Sequence, residues 1–292
     1  MRVDPVSPHH SVMTRHWSAH LGAVLLATYS LFASACGESR VANEGGGGTT
    51  IGVFRGGQWL VDLNGNGVWD GETVDRAFTF GSAGDVPVVG DWNGSGTLGI
   101  GVFRAGQWLL DLNGNRAWDG ATGGDRQIGF GQAGDLPVVG RWDGGPTSRV
   151  GIFRNGTWLL DVNGNGVWDG PAGGDKALIF GQAGDLPVVG DWNGSGKTSV
   201  GVYRKGQWFL DVNGNGVWDG PAGGDQILTF GEPGDLPVVG RWDNSSKSRI
   251  GTFRAGQWFL DANGSGGWDG IAGGDRGFTF GEAGDAPVAG KF

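Results

Sequence analysis

The sequence predicts an all-β fold, a five-bladed β-propeller with four antiparallel strands per blade, and three observations support this prediction. The first is a unit of about 50 residues repeated in tandem, a pattern typical of solenoids and propellers. The second is that each unit contains four strand candidates, and the third is that the two ends of the repeat region complete one unit. The motif that marks the units lies at Ile51–Arg55, Ile100–Arg104, Val150–Arg154, Val200–Arg204 and Ile250–Arg254.

The four strand candidates are short segments rich in β-branched and aromatic residues, each bounded by Gly, Asn or Asp. In the third unit and its continuation they lie at Val150–Arg154, Thr157–Val162, Ala177–Gly181 and Leu186–Trp192. No helical period of about 3.6 residues is seen after residue 50. Four antiparallel strands per unit, repeated around an axis, are the plan of a β-propeller.

The repeat region starts with the strand at Ile51–Arg55 and finishes at Ala286–Phe292, which matches the strand that precedes this motif in the other units. We therefore expect the last strand to pair with the first unit, closing the ring and removing an exposed sheet edge. An open solenoid would need capping units instead. The strand that ends at Gly90, with its equivalents, is expected to be innermost, because glycine permits close backbone approach at the crowded axis.

Residues 1–36 are predicted to be a signal peptide. A basic start at Met13–His16 precedes an apolar run, Leu21–Phe32, that is too short to span a membrane. The single cysteine, Cys36, follows an Ala-Ser-Ala cleavage signal and resembles the lipidated cysteine of bacterial lipoproteins. The alternative is ordinary cleavage that leaves a free thiol.

Both alternatives predict an exported protein, either an outer-membrane lipoprotein of a bacterial cell envelope or an extracellular protein. Residues 37–50 contain four consecutive glycines and predict a flexible tether, and residues 51–292 form the repeat domain. The net charge is −9, and lysine and arginine are spread evenly through the repeats. A nucleic-acid partner is therefore not expected, because binding to phosphates requires clustered positive charge.

One segment of each unit resembles a known repeat. Phe80-Gly81, followed by the segment from Gly84 to Gly96, is similar to FG-GAP and VCBS-type repeats, the blades of the integrin α-chain propeller. The resemblance covers residues 51–292. It implies an extracellular propeller that often binds calcium in its loops and serves in recognition or adhesion. Integrin-type rings have seven blades, so the five units here set the blade number instead.

The resemblance also implies a calcium loop with oxygen ligands at positions 1, 3, 5 and 9 and glycine at position 6. The loop between the first and second strands of a blade meets this pattern at positions 1, 3, 5 and 6 in two blades, starting at Asp91 and Asp191. Its position 9 lacks a carboxylate. In the alternate blades Arg141 or Arg241 replaces the first ligand. We expect those two loops to be metal-free, because a guanidinium would repel the cation.

The loop between the third and fourth strands matches the calcium pattern better, and it resembles dockerin and EF-hand loops without their glutamate at position 12. Its predicted ligands are Asp62, Asn64, Asn66, Asp70; Asp161, Asn163, Asn165, Asp169; Asp211, Asn213, Asn215, Asp219; and Asp261, Asn263, Ser265, Asp269. In the second unit Arg116 replaces the glycine, which is expected to compromise the turn. A further aspartate, such as Asp75, follows in every unit and could complete the shell.

Two interpretations of this loop remain open. Asn-Gly pairs between strands are also typical of hairpin turns with positive φ. Turns alone do not require an aspartate at both ends of the loop in every unit, which favours calcium. We expect weak affinity, with a Kd of about 10⁻⁴–10⁻³ M as in extracellular modules.

Two further sets of residues recur in all five units. Arg55 and Asp85, with their equivalents, form either a ligand-binding pair or a salt bridge between neighbouring strands. A recurrent tryptophan offers either a stacking surface for a sugar or packing between blades. This possible ligand contact lies at Trp59, Trp108, Trp158, Trp208 and Trp258.

Catalysis is not expected, because the histidines and the cysteine all lie in the leader, at His9, His10, His16, His20 and Cys36. The repeats therefore lack the residues of a Ser/His triad or a Cys/His zinc site. The resulting hypothesis is a monomeric, non-catalytic recognition or adhesion propeller at the cell surface, with a protein or glycan ligand and calcium loops. The alternatives are a multivalent carbohydrate-binding lectin and a structural scaffold of the cell envelope.

Overall fold

The computed structural model describes Met1, residues 48–243 and residues 245–292. The predicted signal peptide, Cys36 and nearly all of the tether lie outside these described residues. Within the described residues, no helix is long and apolar enough to cross a membrane.

The described chain is built from short strands. In chain order they are β1 (Thr50–Arg55), β2 (Gln58–Val61), β3 (Arg76–Thr79), β4 (Val86–Gly90), β5 (Gly99–Arg104), β6 (Gln107–Leu110), β7 (Arg126–Gly129), β8 (Leu136–Gly140), β9 (Arg149–Arg154), β10 (Thr157–Leu160), β11 (Lys176–Ile179), β12 (Leu186–Gly190), β13 (Ser199–Arg204), β14 (Gln207–Leu210), β15 (Gln226–Thr229), β16 (Leu236–Gly240), β17 (Arg249–Arg254), β18 (Gln257–Leu260), β19 (Arg276–Thr279) and β20 (Ala286–Gly290). One-turn helices span Ala121–Gly123, Pro171–Gly173, Gly220–Gly223 and Ile271–Gly273.

The strands form five sheets of four antiparallel strands, which confirms the predicted blades. Blade 1 is β4-β5-β6-β7, blade 2 is β8 to β11, blade 3 is β12 to β15 and blade 4 is β16 to β19. Blade 5 is β20-β1-β2-β3. We name the positions within a blade a, b, c and d in that order. The connecting segments are then the a–b loop, the b–c turn, the c–d loop and the d–a connection.

The five a strands lie at the centre of the ring, as predicted. They contact one another in the cyclic order β4, β8, β12, β16, β20 and back to β4. Glycine at the end of this strand is needed because a Cβ on Gly90 would come within 2.6 Å of the Trp92 ring and 2.9 Å of Val139 in the next blade. The crowding at the axis therefore comes from side chains that fill the space beside the glycine.

The two ends of the repeat region close the ring within blade 5, which confirms the predicted strand exchange. β1 pairs with β20 in an antiparallel register from Thr50 opposite Gly290 to Phe54 opposite Ala286. The Thr50 hydroxyl also donates to the Gly290 carbonyl at 2.7 Å. This pairing covers the edges that both strands would otherwise expose.

Hydrogen bonds between blades reinforce the ring at the inner ends of the a–b loops. The Asp91 N–H donates to the Ser148 hydroxyl at 2.9 Å, and the Ser148 N–H donates to the Asp91 carbonyl at 2.7 Å. Thr198, Ser248 and Thr49 make the same exchange at the next three interfaces. The fifth interface has the buried Leu98 in this position, so it is closed by apolar packing.

Candidate functional site: the loop face

Antiparallel strand order places the a–b loops and the c–d loops at one end of the ring, which we call the loop face. The two loop types contact each other in blade 3, where the Asn193 amide donates to the Val212 carbonyl at 2.9 Å. The predicted calcium ligands therefore lie together on this face. The b–c turns lie at the opposite end.

Each c–d loop is organised around a buried aspartate at its first position. The Asp62 carboxylate is 1% exposed and accepts N–H groups from Gly65 at 2.8 Å, Asn66 at 3.3 Å and Gly67 at 2.7 Å. Gly67 adopts a φ of 79°, which aims its N–H at this carboxylate. The sharp turn at position 6 therefore depends on the side chain at position 1.

A second buried aspartate completes the base of the loop. The Asp75 carboxylate accepts the N–H groups of Leu63 at 3.1 Å and Asp70 at 2.7 Å. Burial raises the pKa of Asp62 above its ordinary value of 3.8, and the charge of Asp75 raises it further. The pKa of the first aspartate is raised for the same leading reason at Asp111, Asp161, Asp211 and Asp261.

The outer part of the loop is exposed and polar. The amides of Asn64 and Asn66 donate to the Asp70 carboxylate at 2.9 Å and 2.6 Å. Their side-chain oxygens accept the N–H groups of Asn66 at 3.0 Å and Val68 at 2.8 Å. The four predicted ligands of this loop thus belong to one continuous hydrogen-bonded turn, as do those of the loops that start at Asp161, Asp211 and Asp261.

The loop of the second unit keeps this turn, contrary to the expectation that Arg116 would compromise it. Arg116 adopts a φ of 66°, and its N–H donates to Asp111 at 2.8 Å as the glycine does elsewhere. Its side chain lies over the Phe78 ring of blade 5, 5.1 Å from the ring centroid. This contact offsets the cost of a left-handed conformation at a residue with a Cβ.

The donor atoms of the c–d loops fit a hard cation. Buried carboxylate oxygens without a hydrogen-bond partner occur at Asp225, Asp261 and Asp275, and the last two belong to the same loop. Asp125, in the loop that contains Arg116, has one as well. Carboxylate, amide and hydroxyl oxygens are the ligands that calcium prefers. Among the described residues, no group of three or more His, Cys, Asp or Glu side chains is arranged to hold a metal. A cation here would therefore also need the asparagine and serine oxygens.

The a–b loops hold their charges differently. The guanidinium of Arg141 contacts the Asp91 carboxylate of the preceding blade at 3.3 Å, and both side chains are buried. Arg241 lies 3.7 Å from Asp191 in the same way. The alternation of aspartate and arginine along the sequence therefore produces ion pairs between blades, with arginine supplying the positive charge beside each aspartate.

Of the two alternatives for the first set of tryptophans, the ligand contact by stacking is wrong, because these indoles are 0% exposed. Trp59 packs edge-on against Phe54 and face-on against Phe78, and its N–H donates to the Phe80 carbonyl at 2.9 Å. This environment leaves no face for a ligand and supports the alternative of core packing. The correction applies equally to Trp108, Trp158, Trp208 and Trp258.

A different tryptophan, not predicted from the sequence to be a site residue, is exposed on the loop face. It immediately precedes the aspartate at position 9 of the c–d loop, and its exposed fraction lies between 36% and 43%. These residues are Trp69, Trp118, Trp168, Trp218 and Trp268. The sequence feature that could have identified these exposed tryptophans is their position in a polar loop next to the predicted calcium ligands, since the buried tryptophans lie within strands.

The c–d loop also packs against the outermost strand of the preceding blade. A Cβ on Gly67 would come within 2.6 Å of Phe278 on β19, and the Arg276 guanidinium donates to the Gly65 carbonyl at 3.0 Å. Arg126 makes the same bond to Gly164 at 3.2 Å. The conformation of the loop is therefore coupled to the packing between blades.

The recurrent arginine and aspartate form a bidentate ion pair at the end of the ring opposite the loop face. The Arg104 guanidinium donates to both oxygens of Asp85, at 2.6 Å and 2.7 Å, and Asp85 also accepts the Ser82 N–H. All five units contain the same pair, including Arg55 with Asp285 across the closure. This geometry supports the salt-bridge alternative.

Comparisons with known protein families and with curated proteins find no match to this chain.

Proposed function

We propose that this protein is a non-catalytic recognition or adhesion propeller of the FG-GAP and VCBS type, exported to the cell surface, that binds its ligand through the loop face. The observation that carries the proposal is the fivefold presentation, on one face, of an acidic loop with two buried carboxylates beside an exposed tryptophan. Repeated rigid loops around a ring provide a broad surface with several equivalent contacts, which suits recognition of a large or repetitive ligand.

We further propose that calcium is bound in the c–d loops that have glycine at position 6. In the first of these, Asp62, Asn64, Asn66 and Asp70 would supply oxygen ligands, with Asp75 beside them. Calcium would neutralise the two buried carboxylates and fix the loop. In the second unit, the Arg116 side chain adds positive charge to the loop, so that loop is proposed to be metal-free.

The recognition proposal is tested by screening the full chain against extracellular proteins and glycans, in about 1 mM calcium and again with a chelator. Saturable binding that depends on calcium is expected. If the folded protein binds none of the proteins or glycans in the screen, the structural-scaffold alternative is supported instead.

A multivalent lectin is the second candidate, and the exposed tryptophans favour it. A half-exposed indole next to amide and carboxylate groups offers both stacking and hydrogen bonds to a sugar. If the lectin proposal is right, Trp168→Ala should weaken avidity for a multivalent glycan. It should lower Tm less than Trp158→Ala, because Trp168 is 38% exposed and Trp158 is fully buried, although Trp168 also packs edge-on against Phe130.

The lipid anchor at Cys36 is also a proposal. Replacing this residue in Cys36→Ser should shift the protein from the detergent phase to the aqueous phase in phase partitioning, because the variant lacks the thiol that would carry the lipid. A protein that partitions identically with and without the thiol would indicate ordinary cleavage.

A further inference from the structure

A small, open groove lies between blades 2 and 3 on the loop face. One wall is formed by Lys176, at the start of β11, together with Trp142 of the same blade. The other wall is formed by Lys197 and Ser199 of blade 3, and by the c–d loop around Asn215. Two lysines from different blades thus line the same cleft, whose walls are partly polar and partly apolar.

Neither lysine has an acidic partner. Among the described residues, no carboxylate lies within ion-pair distance of Lys176 or Lys197, although other cations of the ring are paired. The acidic group that lines the groove, Asp211, is buried and already accepts N–H groups from Gly214, Asn215 and Gly216.

The two ammonium groups are close enough to influence each other. Burial lowers the pKa of Lys176, and the charge of Lys197 lowers that pKa further. Two like charges held together without a counter-ion raise the energy of the free groove. A bound anion would remove that repulsion.

The equivalent groove between blades 1 and 2 shows the contrast. It is lined by Arg126 and Arg149, but both guanidinium groups are engaged. Arg149 contacts Asp143 at 2.6 Å, and Arg126 donates to the Gly164 carbonyl at 3.2 Å. In that groove Arg149 is neutralised by Asp143 and Arg126 is held by a carbonyl oxygen. In the groove between blades 2 and 3, neither lysine has a carboxylate partner among the described residues.

We propose that the groove between Lys176 and Lys197 binds a tetrahedral oxyanion, a sulfate or phosphate group. The two ammonium groups would each donate to the anion, and the Ser199 hydroxyl lies on the same wall to add a third donor. Charge-assisted hydrogen bonds of this kind are the strong ones in proteins. The inference deepens the proposed recognition function, on which it rests for the view that an external ligand meets the loop face.

The test is a titration of the full chain with sodium sulfate and, separately, with inorganic phosphate, at constant ionic strength, followed by the NMR signals of the lysine side chains. Saturable shifts of the Lys176 and Lys197 signals are expected. In Lys176→Gln/Lys197→Gln, affinity should fall by about tenfold or more, because both charged donors are lost. Unsaturable shifts in the unmodified chain would overturn the proposal.

The matched control is Lys247→Gln. Lys247 occupies the position of Lys197 in the next blade, but the residue that corresponds to Lys176 there is Gln226, so that groove has one lysine. Its replacement should change anion affinity by less than about twofold. An equal loss in the control and in the double variant would show that general surface charge, not the groove, attracts the anion, and would overturn the proposal.

A second pair of titrations separates a free anion from an anionic group on a polysaccharide. Stronger binding of dextran sulfate than of sulfate, with none of unsulfated dextran, would place the oxyanion on a polymer. Equal affinity per sulfate would indicate the free ion. If sulfate binds in the groove while the protein and glycan screens are blank, the recognition proposal fails and the anion site stands. If the screens detect a ligand but neither sulfate nor phosphate binds in the groove, only the anion-site proposal is overturned.

Discussion

Aspartate is used in three different ways in the ring, and the surroundings of the carboxylate decide which. Asp85 accepts a two-pronged arginine, Asp91 is neutralised by an arginine of the next blade, and Asp62 is held by backbone N–H groups beside a second carboxylate. Asp91 and Asp62 are both buried beside neutral asparagine or serine oxygens, but only Asp91 is paired with an arginine, whereas Asp62 lies beside a second carboxylate. The combination at Asp62 is what favours a cation there.

The ion pair of the b strand is predicted to stabilise the fold. Replacing Arg104 in Arg104→Ala leaves the buried Asp85 with its Ser82 N–H bond but without its cation. The loss should lower the free energy of unfolding by about 1–3 kcal/mol, at the lower end because the arginine is half exposed. The free energy of unfolding of Arg104→Lys should lie between those of the parent and the alanine variant. Lysine keeps the positive charge but cannot make the bidentate contact with the carboxylate. Urea denaturation measures the effect, and an alanine variant as stable as the parent would refute it.

The raised pKa of Asp62 and its equivalents predicts a pH effect on stability. Without calcium, the stability linked to these protons is fully present below pH 3.8 and is lost as pH rises through the raised folded-state pKa. Calcium competes with protons for the same oxygens, so its stabilising effect should increase over that window. Melting curves with calcium and with chelator, from about pH 4 to about pH 7, measure this difference. A calcium effect that is constant across this range would argue against the assignment.

At the scale of elements, the c–d loop both carries the predicted calcium ligands and packs against the neighbouring blade. Its glycine at position 6 lies against the outer strand of the preceding blade, and its backbone accepts an arginine from that strand. A–b loops make the corresponding contact near the axis through serine or threonine. Four interfaces therefore have a hydrogen-bonded inner contact and an outer contact, whereas the fifth has Leu98 at its inner contact.

The inner point is predicted to be sensitive to loss of one hydroxyl. Ser148→Ala removes the acceptor for the buried Asp91 N–H, and leaving such a group unsatisfied costs about 1–3 kcal/mol. Thermal and urea denaturation should show this loss of stability. Thr97→Ala, at an exposed residue of a corresponding loop, should be nearly neutral. Similar effects for both would mean that the interface bond contributes little.

The sequence predicted the strands and the ring closure better than the burial and ion pairing of individual side chains. Repeats and turn residues were enough for the strands, the innermost strand and the closure, because these depend on local patterns that recur. The distinction between Trp59 and Trp69 was missed, since both recur in every unit and only the register with Phe54 and Phe78 buries the first. The pairing of Asp91 with Arg141 was also missed, because the partners lie in different blades.

At the scale of the whole molecule, the ring is closed by one strand pairing and by packing at the interface of blades 5 and 1. That interface has Leu98 where the others have a hydroxyl, and Gly290 lies against it. Neighbouring blades contact one another all around the ring, so the loss of any interface would expose apolar surface in two blades.

Removal of residues 286–292 is therefore predicted to abolish cooperative unfolding. Without β20, the edge of β1 and the apolar residues of blades 4 and 1 become exposed. A circular permutant that begins at the exposed Gly284 and joins Phe292 to Gly48 by a short linker should restore the transition. Calorimetry distinguishes the two chains. A truncated chain that melts like the parent would show that closure is not required.

The central claim is that the c–d loops bind calcium, and calorimetric titration of the full chain with calcium tests it most directly. We expect saturable binding with a Kd of about 10⁻⁴–10⁻³ M, reduced by one site in Asp261→Asn/Asp275→Asn. Asp243→Asn, in the a–b loop of the same blade, should leave the number of sites unchanged. No saturable binding, together with equal melting temperatures in calcium and in chelator, would contradict the claim and leave these loops as hydrogen-bonded turns.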